Sequence, residues 1–578
     1  MNTGPAHIVS AADDRLEPAA SSLCDPLGRL RHWAHTKPHT TYLTQPLPDG
    51  GVIEYTWAQV WDQSLRMAAY LHSLELPPAS NIALYGKNSA HWIMADLAIW
   101  MAGHVSVPLY TTASADTAAY ILEHCEAQLI FIGRLDGTTD SWNEVREIIP
   151  ARLPQIALPM SPLVGTPYWD AIVAEHEPLH SIVQRERNAL ATIIYTSGTT
   201  GRPKGVMHGF GSLTAPCVVT AELWNTNADD RMLSYLPLAH IAERVALEVP
   251  SLVFGFQVFF NLGLDTFQAD LRRARPTRFF SVPRLWTKFY QAVNQKLPPE
   301  QQRALFADPV QGPITKQNIL AGLGLDAAHI GFTGAAPLPA SIIAWYRELG
   351  LDLVEVFGMT ENAATSHSSR RGAVCPGYVG TPLPGVECRL SETGEILVKS
   401  PGQMLGYYKM PDQAAEETTE DGFFRTGDRG EIGPDGQLRI TGRVKELFKT
   451  SKGKYIAPVT IENKLGAHPY IEVVCTTGPG EPQPFALVVL PPDKQDLART
   501  SAEVHAHIER ELAALVDTVN ASLEDHERIE YLVVVKDPWT IDSGLLTPTM
   551  KLRRSVIEER YLAGTAQWRS QRRKVIWE

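Results

Sequence analysis

The sequence predicts an α/β protein of at least two domains, and three observations carry that expectation. Short apolar β-like runs alternate with amphipathic helical stretches through the N-terminal part. From about Gly377 the pattern changes to short strands separated by Gly, Pro and Asp turns. The chain's 578 residues also exceed what one ordinary core organises.

Each element follows from its pattern. SNIALYGKN reads as a strand, SAHWIMADLAIWMAG as a helix and HVSVPLY as the next strand. AQLIFIG, ATIIYTS, RMLSYLPL, QVFFNL and TRFFSVP read as buried strands with helical sequence between many of them. Such alternation implies parallel sheets covered by helices. GTPLPGVECRLSETGEILVKSPGQ and RGEIGPDGQLRITGR suggest an antiparallel, barrel-like subdomain. A smaller α+β unit follows Arg443, with strands IEVVCTTG, PFALVVLPP and YLVVVKD and a helix over Ser501–Asn520. The boundary therefore falls near Gly442-Arg443, giving domains 1–442 and 443–578.

Bulk properties narrow the function classes. Hydrophobic residues make up 44% and charged residues 20%, an ordinary soluble composition. A net charge of -12 argues against a nucleic-acid binder, because no basic excess exists to neutralise phosphates. The six cysteines (Cys24, Cys125, Cys217, Cys375, Cys388, Cys475) form no C-x-x-C pair and read as reduced cytoplasmic thiols. MNTGPAHIVSAADDRLEP lacks the positive and apolar regions of a signal peptide. The most apolar stretch, Val249 to Leu264, is interrupted by Pro250, Gly255, Gln257 and Asn261. It reads as a helix end, a turn and a core strand, with no transmembrane segment.

The most informative segment is YTSGTTGRPKGVMHG, beginning at Tyr195 after the apolar run ATII. Thr196, Ser197, Thr199 and Thr200 are interleaved with Gly198 and Gly201, and Lys204 follows. Glycine permits turns that aim N–H groups at one anion, hydroxyls add donors, and lysine brings a full charge. This combination suits a polyphosphate. It is not G-x-x-x-x-G-K-[ST], because Pro203 stands five residues after Gly198 and Gly205 follows Lys204.

With this loop the sequence resembles the adenylate-forming superfamily of acyl-CoA synthetases, luciferases and peptide-synthetase adenylation domains. Further motifs recur in that family's order: LPLAHIAER from Leu236, FTGAAPLP from Phe332, VFGMTEN from Val356, FFRTGD from Phe423, GRVKELFKTSKGKYIAP from Gly442 and LTPTMKLRR from Leu546. LPLAHIAER, SVPRLW and LLTPTMKLRR are most similar to the long-chain fatty acyl-CoA synthetase branch. The resemblance implies a large N-terminal domain of two helix-covered sheets and a small barrel-like subdomain, with a smaller mobile C-terminal domain. It also implies ATP, Mg²⁺ and coenzyme A as cofactors or co-substrates, and a small-molecule carboxylic acid as partner.

Roles follow residue by residue from the resemblance. Ser197, Gly198, Thr199, Thr200, Gly201 and Lys204 would hold the phosphates, and Glu361 with Thr196 would hold Mg²⁺. Gly334, Ala335 and Ala336 would form one wall for adenine, with Phe357, Gly358, Met359 and Thr360 on the other side. Asp428 would accept from both ribose hydroxyls, which suits an acceptor-only carboxylate, and Arg443 would reinforce the contact. Lys551 would bridge the attacking carboxylate and the α-phosphate, with Lys449 also assigned to the nucleotide. Lys445 matches a hinge, and Gly453 would pass the pantetheine arm after domain rotation. His240 would border the acyl carboxylate or thiol entrance, or simply cap a helix.

The acid is harder to read. SVPRLW lies where long-chain enzymes form an acyl tunnel, yet Phe279, Phe280 and Trp286 suit core packing equally well. Only the short segment Gln291 to Ile330 follows before FTGAAPLP, so a medium-chain or unusual acid stays open. Transfer to a carrier-protein thiol and a catalytically silent nucleotide sensor are the competing readings. The tail WRSQRRKVIW either rests on an anionic membrane surface, as peripheral contact at the inner face, or docks on its own domain. A homodimer is also left open.

Overall fold

The computed structural model describes residues 9–10, 25–196, 202–336, 338–375, 377–541, 543–547 and 551–578. Among them, seven strands form one sheet in the order Gly406–Tyr407, Lys204–Gly209, Leu190–Thr196, Val105–Leu109, Asn81–Tyr85, Leu129–Ile132, Gln155–Ala157. The last five are parallel, as the alternation predicts, and Lys204–Gly209 runs antiparallel to both neighbours. The central runs NIALY, VSVPL and LIFI are buried at every position, which is why they read as continuous apolar strands. Helix Ala90–Met101 is likewise buried along its whole length, with Ser89 capping it through the Trp92 amide.

A second sheet joins Arg278–Ser281, Ile330–Thr333 and Leu353–Phe357 in parallel, then His367–Ser368 and Thr381–Pro382 antiparallel. RMLSYLPL and QVFFNL depart from the expectation of two helix-covered sheets. Arg231–Ser234 and Gln257–Phe260 pair with Thr41–Pro46 and Val52–Thr56 in a four-stranded sheet of their own. That pairing joins residues some two hundred positions apart, which no local periodicity reports. The segment after Gly377 gives the expected antiparallel sheet, Glu387–Leu390, Glu395–Lys399, Phe424–Ile432 and Leu438–Arg443, with Val9–Ser10 joining its edge.

In the C-terminal domain the sheet is Val473–Thr477, Phe485–Val489, Leu532–Val534 and Val575–Trp577, with a separate apolar core on each face. The final strand comes from the tail. Trp568 packs on Phe485, and Trp577 stacks on His505 at 4.1 Å between ring centroids. Arg569 pairs with Glu481 and Glu530, Arg573 with Glu509, and Lys574 with Asp517. Its two tryptophans and Arg569, Arg573 and Lys574 thus have partners within the domain, so the tail docks on its own domain. Val249–Leu264 is the expected helix (Val249–Phe254), turn at Gly255 and strand (Gln257–Phe260). Among the described residues, no helix is long and apolar enough to cross a membrane.

The LPLAHIAER segment carries its charges inward. Arg244 has no exposed side-chain surface; it donates to Asp96 at 2.6 Å and pairs with Glu248 at 2.8 Å. Trp92 and Trp100 flank its guanidinium, each ring centroid 5.4 Å away. Arg244–Glu248 forms a π-helical turn, a local widening of the helix that inserts these groups into the core. Beside it, Glu243 accepts from Ser234 Oγ at 2.8 Å, and burial raises its carboxyl to about 8. Unfolded, the group titrates near 4.5, so between those values the folded state alone holds the proton and stability falls as pH rises. Glu243→Gln should remove up to one proton's worth of that slope, about 1.4 kcal/mol per pH unit between roughly pH 5 and 8. Urea unfolding at a series of pH values measures it; parallel slopes for the two proteins would mean that Glu243 is ionised in the folded state.

Candidate functional site

Strand Leu190–Thr196 ends, and Lys204–Gly209 begins, with Thr196 directly opposite Lys204. The loop between them, including Ser197, Gly198, Thr199, Thr200 and Gly201, lies outside the described residues. Lys204 Nζ donates to Glu417 Oε1 at 2.7 Å and sits 4.7 Å from the Tyr407 ring centroid. Tyr407 belongs to the edge strand Gly406–Tyr407, which pairs with Val206 and Met207. Its hydroxyl lies 2.6 Å from Glu417 Oε2 and 3.0 Å from Glu361 Oε1. Lys204 and Glu361, distant in sequence, therefore meet around one phenol.

Glu361 occupies a single 3₁₀ turn, Thr360–Asn362. The turn folds tightly because Gly358 has no side chain: a Cβ there would lie 2.2 Å from the Ala364 carbonyl carbon. His208 Nε2 donates to the Thr360 carbonyl at 2.7 Å, tying the turn to the Lys204 strand. Burial lowers the His208 imidazole to about 4, so it is neutral near pH 7. Burial also raises the Glu361 carboxyl, and nearby Glu417 adds to the effect. Gly334 directly follows strand Ile330–Thr333, and Phe357 ends the neighbouring parallel strand Leu353–Phe357. A Cβ on Gly334 would lie 2.9 Å from Val356 Cγ2, while Ala335 and Ala336 are exposed, leaving a thin open wall.

Asp428 and Arg443 face each other across antiparallel strands, with Nε to Oδ1 at 3.0 Å. Burial raises the Asp428 carboxyl, opposed by Arg443 and then Lys551. Lys551 comes from the C-terminal domain. Its amide donates to Thr547 Oγ1 at 3.0 Å, and the bridge Leu546 to Leu552 closes the loop base; Pro548, Thr549 and Met550 lie outside the described residues. The side chain keeps solvent-accessible surface yet stands in a cleft walled by protein. That burial, with Arg443, lowers its ammonium pKa, while Asp428, Glu361 and Glu446 work to raise it. The cleft thus gathers three carboxylates and two cations from four separate motifs.

His240 faces the same ammonium. Burial and then Lys551 lower its imidazole to about 4, and Nδ1 accepts from the Ala242 amide at 3.1 Å. This is the helix-capping arrangement, and it leaves no free basic nitrogen near neutral pH. Lys445 is exposed in the 3₁₀ turn Val444–Glu446. Lys449 lies on the hairpin Phe448–Lys449/Tyr455–Ile456, its ammonium 4.9 Å from the Tyr455 ring centroid. Gly453 is exposed in the turn of that hairpin, with open space where a Cβ would point. Phe279 and Trp286 belong to the core between sheet and helices, whereas Phe280 packs on the opposite face with Phe332 and Val356. All three therefore take part in core packing, Phe280 as a partly buried member of a second cluster.

Three residues at the site escaped the sequence reading. His208 closes the glycine-rich motif but carried no local sign of reaching Thr360. Tyr407 and Glu417 arrive through an edge strand and the segment after it, so only tertiary pairing reveals them.

The AMP-binding enzyme family model matches residues 30–408, and the AMP-binding enzyme C-terminal domain model matches residues 446–564. The chain belongs to the AMP-binding enzyme family. Within it, the chain falls among the adenylate-forming acyl-CoA ligases. This AMP-binding enzyme is 29% identical to the long-chain-fatty-acid–CoA ligase FadD15 of Mycobacterium bovis, over 89% of this chain and 92% of the relative. It is 30% identical to the peroxisomal long chain acyl-CoA synthetase 6 of Arabidopsis thaliana, over 96% of this chain and 87% of the relative. The A-PCP didomain of the carboxylic acid reductase from Segniliparus rugosus, solved in complex with AMP, shares the fold at a TM-score of 0.76 and 21% identity. That alignment covers 96% of this chain and 84% of the other.

Gly358→Ala is expected to push the Thr360–Asn362 turn off its seat and raise the KM for ATP about tenfold or more in this AMP-binding enzyme, with the far-ultraviolet spectrum unchanged. Pyrophosphate-release kinetics read this directly, and an unaltered KM would show that the turn does not position nucleotide.

Proposed function

We propose that the protein is an ATP-dependent acyl-CoA synthetase that activates a long-chain fatty acid as acyl-AMP, releases pyrophosphate, and then forms the acyl-CoA thioester. The observation that carries this reading is Lys551 facing Asp428, Arg443 and Glu361 in one cleft. The reaction joins two anions, a carboxylate and the α-phosphate of ATP, so repulsion must fall first. One ammonium about 4 Å away contributes roughly 4 kcal/mol at an effective dielectric near 20. In this reading Lys551 bridges both anions, Lys204 grips the outer phosphates, and Asp428 with Arg443 holds the ribose. Gly334, Ala335, Ala336 and Phe357 flank adenine. Neutral His240 borders the acid and orients it without accepting a proton.

Thr196, paired with Lys204 across the hairpin, and Glu361, which shares Tyr407 with Lys204, offer hard oxygen atoms that would suit Mg²⁺. Among the described residues, no group of three or more His, Cys, Asp or Glu is placed to hold an ion by itself. Bound there, Mg²⁺ supplies charge neutralisation on the phosphates.

The present orientation suits the first half-reaction, because Lys551 fills the space beside the adenylate. The residues after Lys445 then rotate about it, its exposed turn absorbing the dihedral change and carrying Gly453 toward the pantetheine arm. The long-chain assignment draws support from the relatives' names and from LPLAHIAER and SVPRLW. The segment before Gly331 holds the end of helix Pro283–Lys296 and two short helices, Pro299–Phe306 and Gln311–Leu323.

Lys551→Ala should lower adenylate formation about a hundredfold or more, yet convert supplied acyl-adenylate and coenzyme A nearly as well as the parent. Equal loss in both half-assays would remove Lys551 from this role. Lys445→Pro should show the opposite split, and normal thioester formation would sink the hinge. Pyrophosphate release across acids of graded length, followed by coenzyme A against a carrier protein, tests the substrate and acceptor. A maximum at short or aromatic acids would overturn the fatty-acid reading.

A further inference from the structure

Lys204 does not wait free for a ligand. Its ammonium, with a side chain only 14% exposed, is engaged by Glu417 at 2.7 Å. Both oxygens of Glu417 are turned to this place: Oε1 accepts from Lys204, and Oε2 lies 2.6 Å from the Tyr407 hydroxyl. Gln413 adds a longer contact to Oε1, at 3.5 Å. A phenol has one proton to donate. The shorter approach assigns it to Glu417, which leaves Glu361 Oε1, at 3.0 Å, without a full share. Glu417 therefore engages the two groups that border Glu361, and it follows the helix Pro411–Glu416 outside every motif quoted above.

We infer that Glu417 is a positioning residue that acts as a displaceable counter-ion: it holds Lys204 beside Tyr407 until polyphosphate arrives, yields it, and recaptures it as pyrophosphate leaves. The inference rests on the proposed reading of Lys204 as a phosphate ligand. One ammonium cannot give its best geometry to a carboxylate and to a phosphate oxygen at once. Polyphosphate also brings several negative charges toward Glu417, so the pair is weakened from both sides when the nucleotide is bound. An empty site, by contrast, keeps its cation paired and its lysine side chain fixed over an aromatic face. Glu417 thereby lowers affinity for the leaving pyrophosphate and favours its release.

The test is calorimetric titration of pyrophosphate and of ATP into the full-length protein, once with EDTA and once with Mg²⁺. Glu417→Gln keeps an acceptor for Tyr407 but removes the charge, and should tighten pyrophosphate roughly three- to fivefold. Glu417→Ala should move affinity in the same direction, so the result does not hang on one variant. Steady-state assays should show a lower KM for ATP and stronger product inhibition by pyrophosphate, with the melting temperature near that of the parent. Repeating Glu417→Gln in a Lys204→Ala background separates the possibilities. A lysine that must leave Glu417 gives a larger tightening when Lys204 is present, whereas simple charge summation gives the same factor in both backgrounds. Equal factors, or no tightening, would overturn the counter-ion role. If Lys204→Ala leaves pyrophosphate affinity unchanged, the phosphate reading of Lys204 fails first, independently of Glu417.

Discussion

The site depends above all on the register between Phe424–Ile432 and Leu438–Arg443. It sets Asp428 opposite Arg443 and joins them at 3.0 Å. Arg443 is also the last residue of its strand, so the point where the chain departs for the C-terminal domain is fixed by the same ion pair. A carboxylate this buried is costly unless cations neutralise it, and two stand beside it: Arg443 and Lys551. The electrostatic need of Asp428 and the position of the second domain are thus one problem with one solution. Moving Lys551 away must be offset by whatever then occupies the cleft.

The N-terminal domain applies the same logic at a second place. Arg244, Asp96 and Glu248 form a fully buried ionic group whose members come from two helical segments. Arg244 without a carboxyl partner would be an uncompensated buried charge, while burial raises both carboxyls, so the π-helical turn is held where Arg244 meets them. That turn directly follows the short helix capped by His240. The core's charge balance therefore sets the height at which His240 meets Lys551, and the neutral imidazole follows from its surroundings.

Around the Lys204 hairpin, backbone hydrogen bonds add to burial. Met404, Leu405 and Tyr408 donate backbone hydrogen bonds to Glu361, Met207 and Gly205. His208 reaches Thr360 from the opposite side. Together these fasten the Glu361 turn to the Lys204 strand, although neither segment contacts the other in sequence.

The sequence by itself determined the element types, the barrel-like change after Gly377 and the order of the family motifs. Those depend on local pattern: continuous apolar runs for doubly covered strands, glycine where backbones approach, and hydroxyl-rich loops where anions belong. It also named Lys204, Glu361, Asp428, Arg443 and Lys551, because each sits in a motif whose spacing survives as text. Only the tertiary structure decided that Thr41–Pro46 pairs with Gln257–Phe260, that the tail becomes a strand, and that His240 caps a helix. It alone brought in His208, Tyr407 and Glu417. Strand pairing and ion pairing depend on distance in space, and a carboxylate such as Glu417 has no role until folding sets a lysine beside it.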